Sequence, residues 1–197
     1  MKNSNKKSIF TVLILVSLAV ASRLIPHPQN FTPITGMTLL GAAYFSRKWM
    51  VFIIPILAFW ISDLILNNIV YSAYMDGFTL FNTNMIFTYG AIILIAIIGT
   101  KLLKKIKFTN LLLASLSSSV IFYLLSNFGT WVGSGMYPKT LSGLGTCMAM
   151  GIPFLSTGAE DPFFINTMAG DLFYTFLLFG LYYLSVNSFK LSPAKTF

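Results

Sequence analysis

Apolar residues gather in six runs along this chain: Ile9 to Ile25, Ile34 to Ser46, Trp49 to Leu66, Asn84 to Leu103, Thr109 to Phe128 and Ile165 to Ser185. A helix needs roughly 17 to 25 mostly apolar residues to cross about 30 Å of hydrocarbon. Five runs meet that length. The second has thirteen residues and starts just after Pro33, so it is expected as a half-buried or tilted helix fed by backbone that enters the outer leaflet. Backbone at that depth keeps its N–H and C=O groups satisfied only where protein or water meets them, which makes Pro26 to Pro33 a segment of interest. The expected fold is an all-α membrane protein, a single bundle of six transmembrane helices with the second one short.

Between the runs, charge orients the bundle. Lys2, Lys6 and Lys7 precede the first run, Arg47 and Lys48 lie between the second and third, Lys101, Lys104, Lys105 and Lys107 between the fourth and fifth, and Lys190 and Lys195 follow the last. Cytoplasmic loops carry the Lys/Arg excess, so both termini are expected in the cytoplasm. Of the 13 basic residues only Arg23 and Lys139 fall on the outer side, with Asp76, Glu160 and Asp161 and near the deeper Asp63 and Asp171. The formal net charge of +8 thus follows membrane topology, and nucleic acid is not an expected partner.

With 197 residues, 56% hydrophobic and 9% charged, the chain reads as one integral-membrane helical domain over residues 1–197, with no room for a soluble domain. No inner loop is long enough to hold an ATPase. The single cysteine, Cys147, excludes an intramolecular disulfide and a cysteine-cluster metal site. The Lys-rich start, the apolar run and Ala19-Val20-Ala21 imitate a secretory signal with a small-residue cleavage site. Against cleavage, the apolar stretch continues through Arg23 to Ile25, and the second run is too short to stand alone.

Three polar stretches converge on the outer face: Arg23 to Pro33, Asn67 to Thr83 and Gly129 to Phe164. The last is long for a connection, and long loops are often functional. It holds the apolar segment Thr140 to Leu155, expected as an extra lid or re-entrant helix at about 140–155. Ionisable groups inside spans cost about 2.5 to 3.5 kcal/mol each at the centre, so each needs a reason. Asp63 lies one turn from Trp60 and one turn from Asn67; Asp171 lies near Asn166, Thr167 and Tyr174. Either aspartate can wall a polar cavity, pair with Arg23, or cap loop backbone. Arg23 is read as a pairing residue. His27, in Pro26-His27-Pro28, has no partner at ligand spacing and is read as a gate or packing residue. Ser115, Ser118, Ser119, Phe122 and Ser126 form a small-residue stripe suited to close helix packing, and Tyr123, Asn127 and Trp131 share a neighbouring one. No acid–base pair, metal cluster or activated nucleophile is in view. The chain is therefore expected to be no enzyme, without catalytic residues, metal ligands or cofactors.

The stretch Ser22-Arg23-Leu24-Ile25-Pro26-His27-Pro28-Gln29-Asn30-Phe31-Thr32-Pro33-Ile34-Thr35-Gly36-Met37, then Leu39-Leu40-Gly41-Ala42-Ala43-Tyr44-Phe45, Met136-Tyr137-Pro138-Lys139-Thr140-Leu141 and Gly151-Ile152-Pro153-Phe154, closely resembles an uncharacterised bacterial family ascribed to membrane transport. In architecture and first-loop character the chain also resembles the substrate-binding S components of energy-coupling-factor (ECF) transporters. That resemblance implies a multi-pass protein of the bacterial inner (plasma) membrane that captures a micronutrient at its outer face. It also implies a membrane scaffold subunit with ATPases as partner. The scaffold docks on two alanines four apart in the inner half of the first helix. Here that half reads Ile9 to Val16, and the nearest small pair, Ser17 and Ala21, lies toward the outer end. The expected function is a solute-binding subunit for a vitamin-like or heterocyclic small molecule, with Trp60, Asp63, Asn127, Trp131, Asn166 and Asp171 as pocket walls and Arg23, His27 and Asn30 at the gate. The alternative is a non-transporting scaffold of a cell-envelope or morphogenesis complex.

Overall fold

A computed structural model describes residues 2–70, 72–74, 77–150, 152 and 163–188, with side chains from residue 9 onward. Helices are the only regular elements among them: α1 (Lys2–Ser22), α2 (Ile34–Tyr44), α3 (Lys48–Ile65), α4 (Thr83–Leu102), α5 (Phe108–Gly133), α6 (Leu141–Met150) and α7 (Phe163–Ser188). A π-turn, Leu66–Val70, prolongs α3, and a 3-10 turn, Ser72–Tyr74, follows it. Four helical stretches are long and apolar enough to cross a membrane: Lys48–Val70, Thr83–Leu102, Phe108–Gly133 and Phe163–Ser188. Three shorter apolar helical stretches, Ile9–Ser22, Ile34–Tyr44 and Leu141–Met150, accompany them. We call the end where α3 and α5 finish and α2, α4 and α7 begin the upper end.

The centre of the bundle is its shortest apolar helix but one. At 1.5 Å per residue α2 is about 16 Å long, half of a hydrocarbon core, and all eleven of its residues are buried. It packs against α1, α3, α4, α5 and α7. A helix without a polar face must be enclosed on every side, and here protein encloses it. Close approach depends on glycines. A Cβ on Gly36 would lie 2.8 Å from the Tyr174 carbonyl carbon and 2.9 Å from the Thr175 nitrogen of α7, and one on Gly99 of α4 would lie 2.7 Å from the Ala42 Cβ. Small residues at such crossings let helices touch backbone to backbone.

Element ends differ from the apolar runs for identifiable reasons. The first run continues to Ile25, but α1 stops at Ser22, whose hydroxyl donates to the Ala19 carbonyl at 2.7 Å. Arg23 and Leu24 close the end with bonds to Val20 and Ala21, both 3.1 Å. The fifth run ends at Phe128, yet α5 continues to Gly133. Its last carbonyls are met by Lys139, whose ammonium donates to Trp131, to Val132 (3.0 Å) and to Ser134 (2.7 Å). A lysine at a helix C-terminus satisfies orphan carbonyls and suits the dipole. Beyond Leu66 the backbone of α3 is held by Asn68. Its amide nitrogen donates to Leu64 (3.0 Å) and Thr79 (2.9 Å), and its amide oxygen accepts from Thr79 N–H at 2.7 Å. Residues 141–150 of the expected 140–155 segment form α6; positions 151 and 153–155, like Asp76, Glu160 and Asp161, lie outside the described residues.

Candidate functional site

The upper end holds a cavity of about 420 Å³. Its floor is the start of α2 (Ile34), and its sides come from α3 (Phe59), α4 (Asn84, Thr88), α5 (Phe122, Ser126, Asn127, Thr130) and α7 (Phe163). Arg23, Asn30 and Thr32 of the first connection, Met136 and Tyr137 after α5, and Cys147 and Met150 of α6 complete its lining. Its size, with apolar and aromatic surfaces around a few amides and hydroxyls, is that of a small-molecule site.

Local structure positions the polar groups. Asn127 donates its amide to the Tyr123 carbonyl one turn back at 2.8 Å, so its oxygen is left for other partners, and its own carbonyl accepts from the Cys147 thiol at 3.3 Å. Tyr123 donates its hydroxyl to the Met148 carbonyl. Both bonds tie α6 to α5, and α6 packs on no other helix among the described residues. Asn84 enters at the first turn of α4, where Asn82 caps the helix by accepting from Met85 N–H at 3.0 Å. The Asn84 side-chain oxygen is buried without a hydrogen-bond partner. A Cβ on Gly129 would lie 2.3 Å from that oxygen, so the glycine of α5 is what admits the amide. Asn30 adopts φ 61°, a left-handed conformation that asparagine tolerates better than other non-glycine residues.

Arg23 turns from the end of α1 into the wall. Its Nη2 meets Asp63 Oδ1 at 2.8 Å, with side-chain exposures of 8% and 13%. Its Nη1 donates to Ser62 Oγ and to the Phe59 carbonyl (3.4 Å), and its guanidinium stands 4.3 Å from the Phe59 ring centroid. Asp171 is 3% exposed. It accepts from Ser119 Oγ at 2.7 Å and is also hydrogen-bonded by the Thr35 side chain, so it joins α7 to α5 and α2.

A family model matches residues 3–194. The chain belongs to DUF6580, a family of unknown function. No curated protein and no solved structure matches it.

In this DUF6580 chain the nine residues singled out from sequence divide into two groups. Arg23, Asn30 and Asn127 line the cavity. The other six do not. Asp63 lies behind Arg23 as its counter-ion, and Asp171 is sealed at the α2–α5–α7 junction. Trp60, half-buried, donates its indole N–H to Leu80 at 3.3 Å and stacks on Phe81 at 5.9 Å, which pins the α3–α4 connection. Trp131 donates to Pro138 at 2.9 Å beneath Lys139, whose ammonium is 5.8 Å from the ring centroid. Asn166 is half-buried on α7, outside the cavity lining. His27 faces its own loop, with Nδ1 2.9 Å from the Pro28 carbonyl. The residues missed were Asn84 and Thr88. They stand four apart at the start of the fourth run, and that spacing puts two polar groups on one helix face.

Proposed function

We propose that this DUF6580 protein is a non-catalytic, solute-binding subunit of the bacterial inner membrane, similar to an ECF S component, that takes up a small neutral or heterocyclic micronutrient. The upper end is then the outer face. The chain crosses the bilayer six times with α2 as the short span, both termini are cytoplasmic, and α6 is the lid. The observation that carries this reading is the cavity of about 420 Å³ bordered by Cys147 and Met150 of α6 and walled by Asn84 and Asn127 among Phe59, Phe122 and Phe163. Aromatic faces stack flat rings, and a few fixed amides supply orientation and specificity. Energy would come from a membrane scaffold subunit with ATPases. The groove of about 320 Å³ between α1 and α3, lined by Leu13, Val16, Ser17 and Val20 opposite Ile54, Leu57, Ala58 and Ile61, offers a helix of such a partner a lateral seat.

The same lateral groove favours the second reading, a scaffold subunit of an envelope-building complex, for which the cavity polar groups would be dispensable. A thermal-shift screen of detergent-purified protein against vitamins, nucleobases and their precursors separates the two. A ligand specific to the folded state adds about 2.7 kcal/mol at a hundredfold excess over its Kd. A stabilising compound whose effect disappears in Asn127→Ala supports solute binding. Silence across the panel, with wild-type folding of that variant, transfers support to the scaffold reading.

A further inference from the structure

At the opposite, lower end, α3 begins beside the end of α4, and a second cavity of about 330 Å³ lies between them. Lys48 of α3 and Lys101 of α4 open onto it with Lys104 of the following turn, and Val51 and Phe52 form its apolar wall. The three lysines are exposed, and the described structure gives them no acidic or hydrogen-bonding partner. Like charges drawn from two helices around one notch repel each other unless an anion joins them. The notch also meets the first turn of α3, which has no side-chain cap and no acidic residue, so the positive end of that dipole adds to the field. Next to the notch, Trp49 and Ile53 are 54% and 45% exposed, an aromatic and an aliphatic surface at interface depth.

We infer that this notch binds the phosphate headgroup of an anionic phospholipid, with Lys48, Lys101 and Lys104 around the phosphate and an acyl chain running down past Phe52 toward the exposed Ile53. Basic pockets between helices near a leaflet surface hold such headgroups. A free phosphate would satisfy the lysines but leave the apolar wall bare, so the lipid fits the whole site. The inference requires only that α3 and α4 cross a bilayer, and the upper cavity can fail as a solute site without affecting it.

The test measures melting of the purified protein in zwitterionic detergent with added phosphatidylglycerol, phosphatidylcholine or inorganic phosphate, and counts lipid adducts by native mass spectrometry. The expected result is stabilisation and a retained adduct with phosphatidylglycerol alone. Lys48→Gln, Lys101→Gln and Lys104→Gln each weaken binding about fivefold. A double variant that removes even more charge outside the notch lining, Lys105→Gln with Lys107→Gln, keeps it. Three results overturn the proposal: no selectivity for phosphatidylglycerol, equal stabilisation by inorganic phosphate, or equal loss in the Lys105→Gln with Lys107→Gln control. Should a notch variant not fold, the adduct selectivity of the wild-type protein decides alone.

Discussion

Replacing Arg23 by methionine removes a guanidinium that meets Asp63 at 2.8 Å and stands 4.3 Å from the Phe59 ring centroid, and it leaves the carboxylate, 13% exposed, without its counter-ion. Breaking one partner of a buried pair costs about 3 to 5 kcal/mol, because the remaining charge keeps its desolvation penalty. The lost cation–π contact adds about 1 kcal/mol. Asp63→Asn should cost less than Arg23→Met, since the amide oxygen can still accept from Nη2. The decisive variant is the double one. Arg23→Met with Asp63→Leu removes both charges and fills their volume with apolar atoms, and buried pairs exchanged in this way are often neutral in stability. The expectation is a double variant within about 1 kcal/mol of wild type, hence a coupling energy of at least about 2 kcal/mol. Equilibrium unfolding in mixed micelles, with all four members of the cycle at one pH and salt, provides the measurement. Additive single-variant costs would refute the reasoning, because additivity means that Arg23 and Asp63 do not compensate each other. If Arg23 serves instead to read a substrate carboxylate, Asp63→Asn should leave melting unchanged while altering ligand affinity.

Three further outcomes follow from the packing. Gly36→Ala places a methyl 2.8 Å from α7 backbone, which cannot rotate away, so the melting midpoint should fall by the equivalent of about 1 to 3 kcal/mol. Gly90→Ala, with nothing within 4 Å of its Cβ, should be neutral or gain about 0.5 to 1 kcal/mol; equal effects at the two sites would contradict the close α2–α7 crossing. Asp171→Ala strands the hydroxyls of Ser119 and Thr35 and should cost about 1 to 3 kcal/mol more than Asp171→Asn, which keeps an acceptor; comparing the two unfolding curves checks this. Ser126→Phe places a ring in the upper cavity and should abolish any ligand-induced shift in melting while leaving the ligand-free midpoint near wild type; a preserved shift would locate the site elsewhere.

Sequence and structure agree most closely where one physical rule acts alone. Apolar length places the four long helices within a few residues, because continuous burial in hydrocarbon or protein demands nothing else of those positions. Ends were harder to read. Lys139 extends α5 beyond Phe128 by meeting carbonyls from five to eight residues earlier in the chain, and nothing in the local pattern announces a cap reaching back across a turn. The α1 end at Ser22 is similarly set by Arg23 folding toward Asp63, a partner 40 residues away. Site residues were legible as a class but not as an address. Asp63 and Asp171 were marked by the cost of burying a carboxylate, yet that cost is met equally well by Arg23 or by two hydroxyls as by a ligand. Asn84 and Thr88 carry no such mark, because neither is charged and an amide at the start of a helix reads first as a cap.

The two buried aspartates also indicate where this bundle can move. Asp171 ties α7 to α5 through Ser119 and to α2 through Thr35, in a region where Gly36 brings α2 against α7 backbone. Opening that junction would strand a carboxylate and two hydroxyls at once, so α2, α5 and α7 belong to the most stable part of the fold. Arg23 and Asp63 similarly fix the end of α1 to α3. The α6 helix differs: among the described residues it packs on α5 and on no other helix, and its side-chain ties to that helix are the Tyr123 and Cys147 contacts with backbone carbonyls. Few contacts and short length place α6 at the low-stability end of the structure, the end from which lids are drawn. Access to the upper cavity should therefore come from displacement of α6 about the 134–140 connection, with the frame of the other six helices unchanged. Amide hydrogen exchange provides the check. Residues 141–150 should exchange well before Phe122 and Ser126 of α5, and a stabilising ligand should slow α6 most. Exchange of α6 and α5 as one unit would mean that the cavity is sealed until the bundle itself opens.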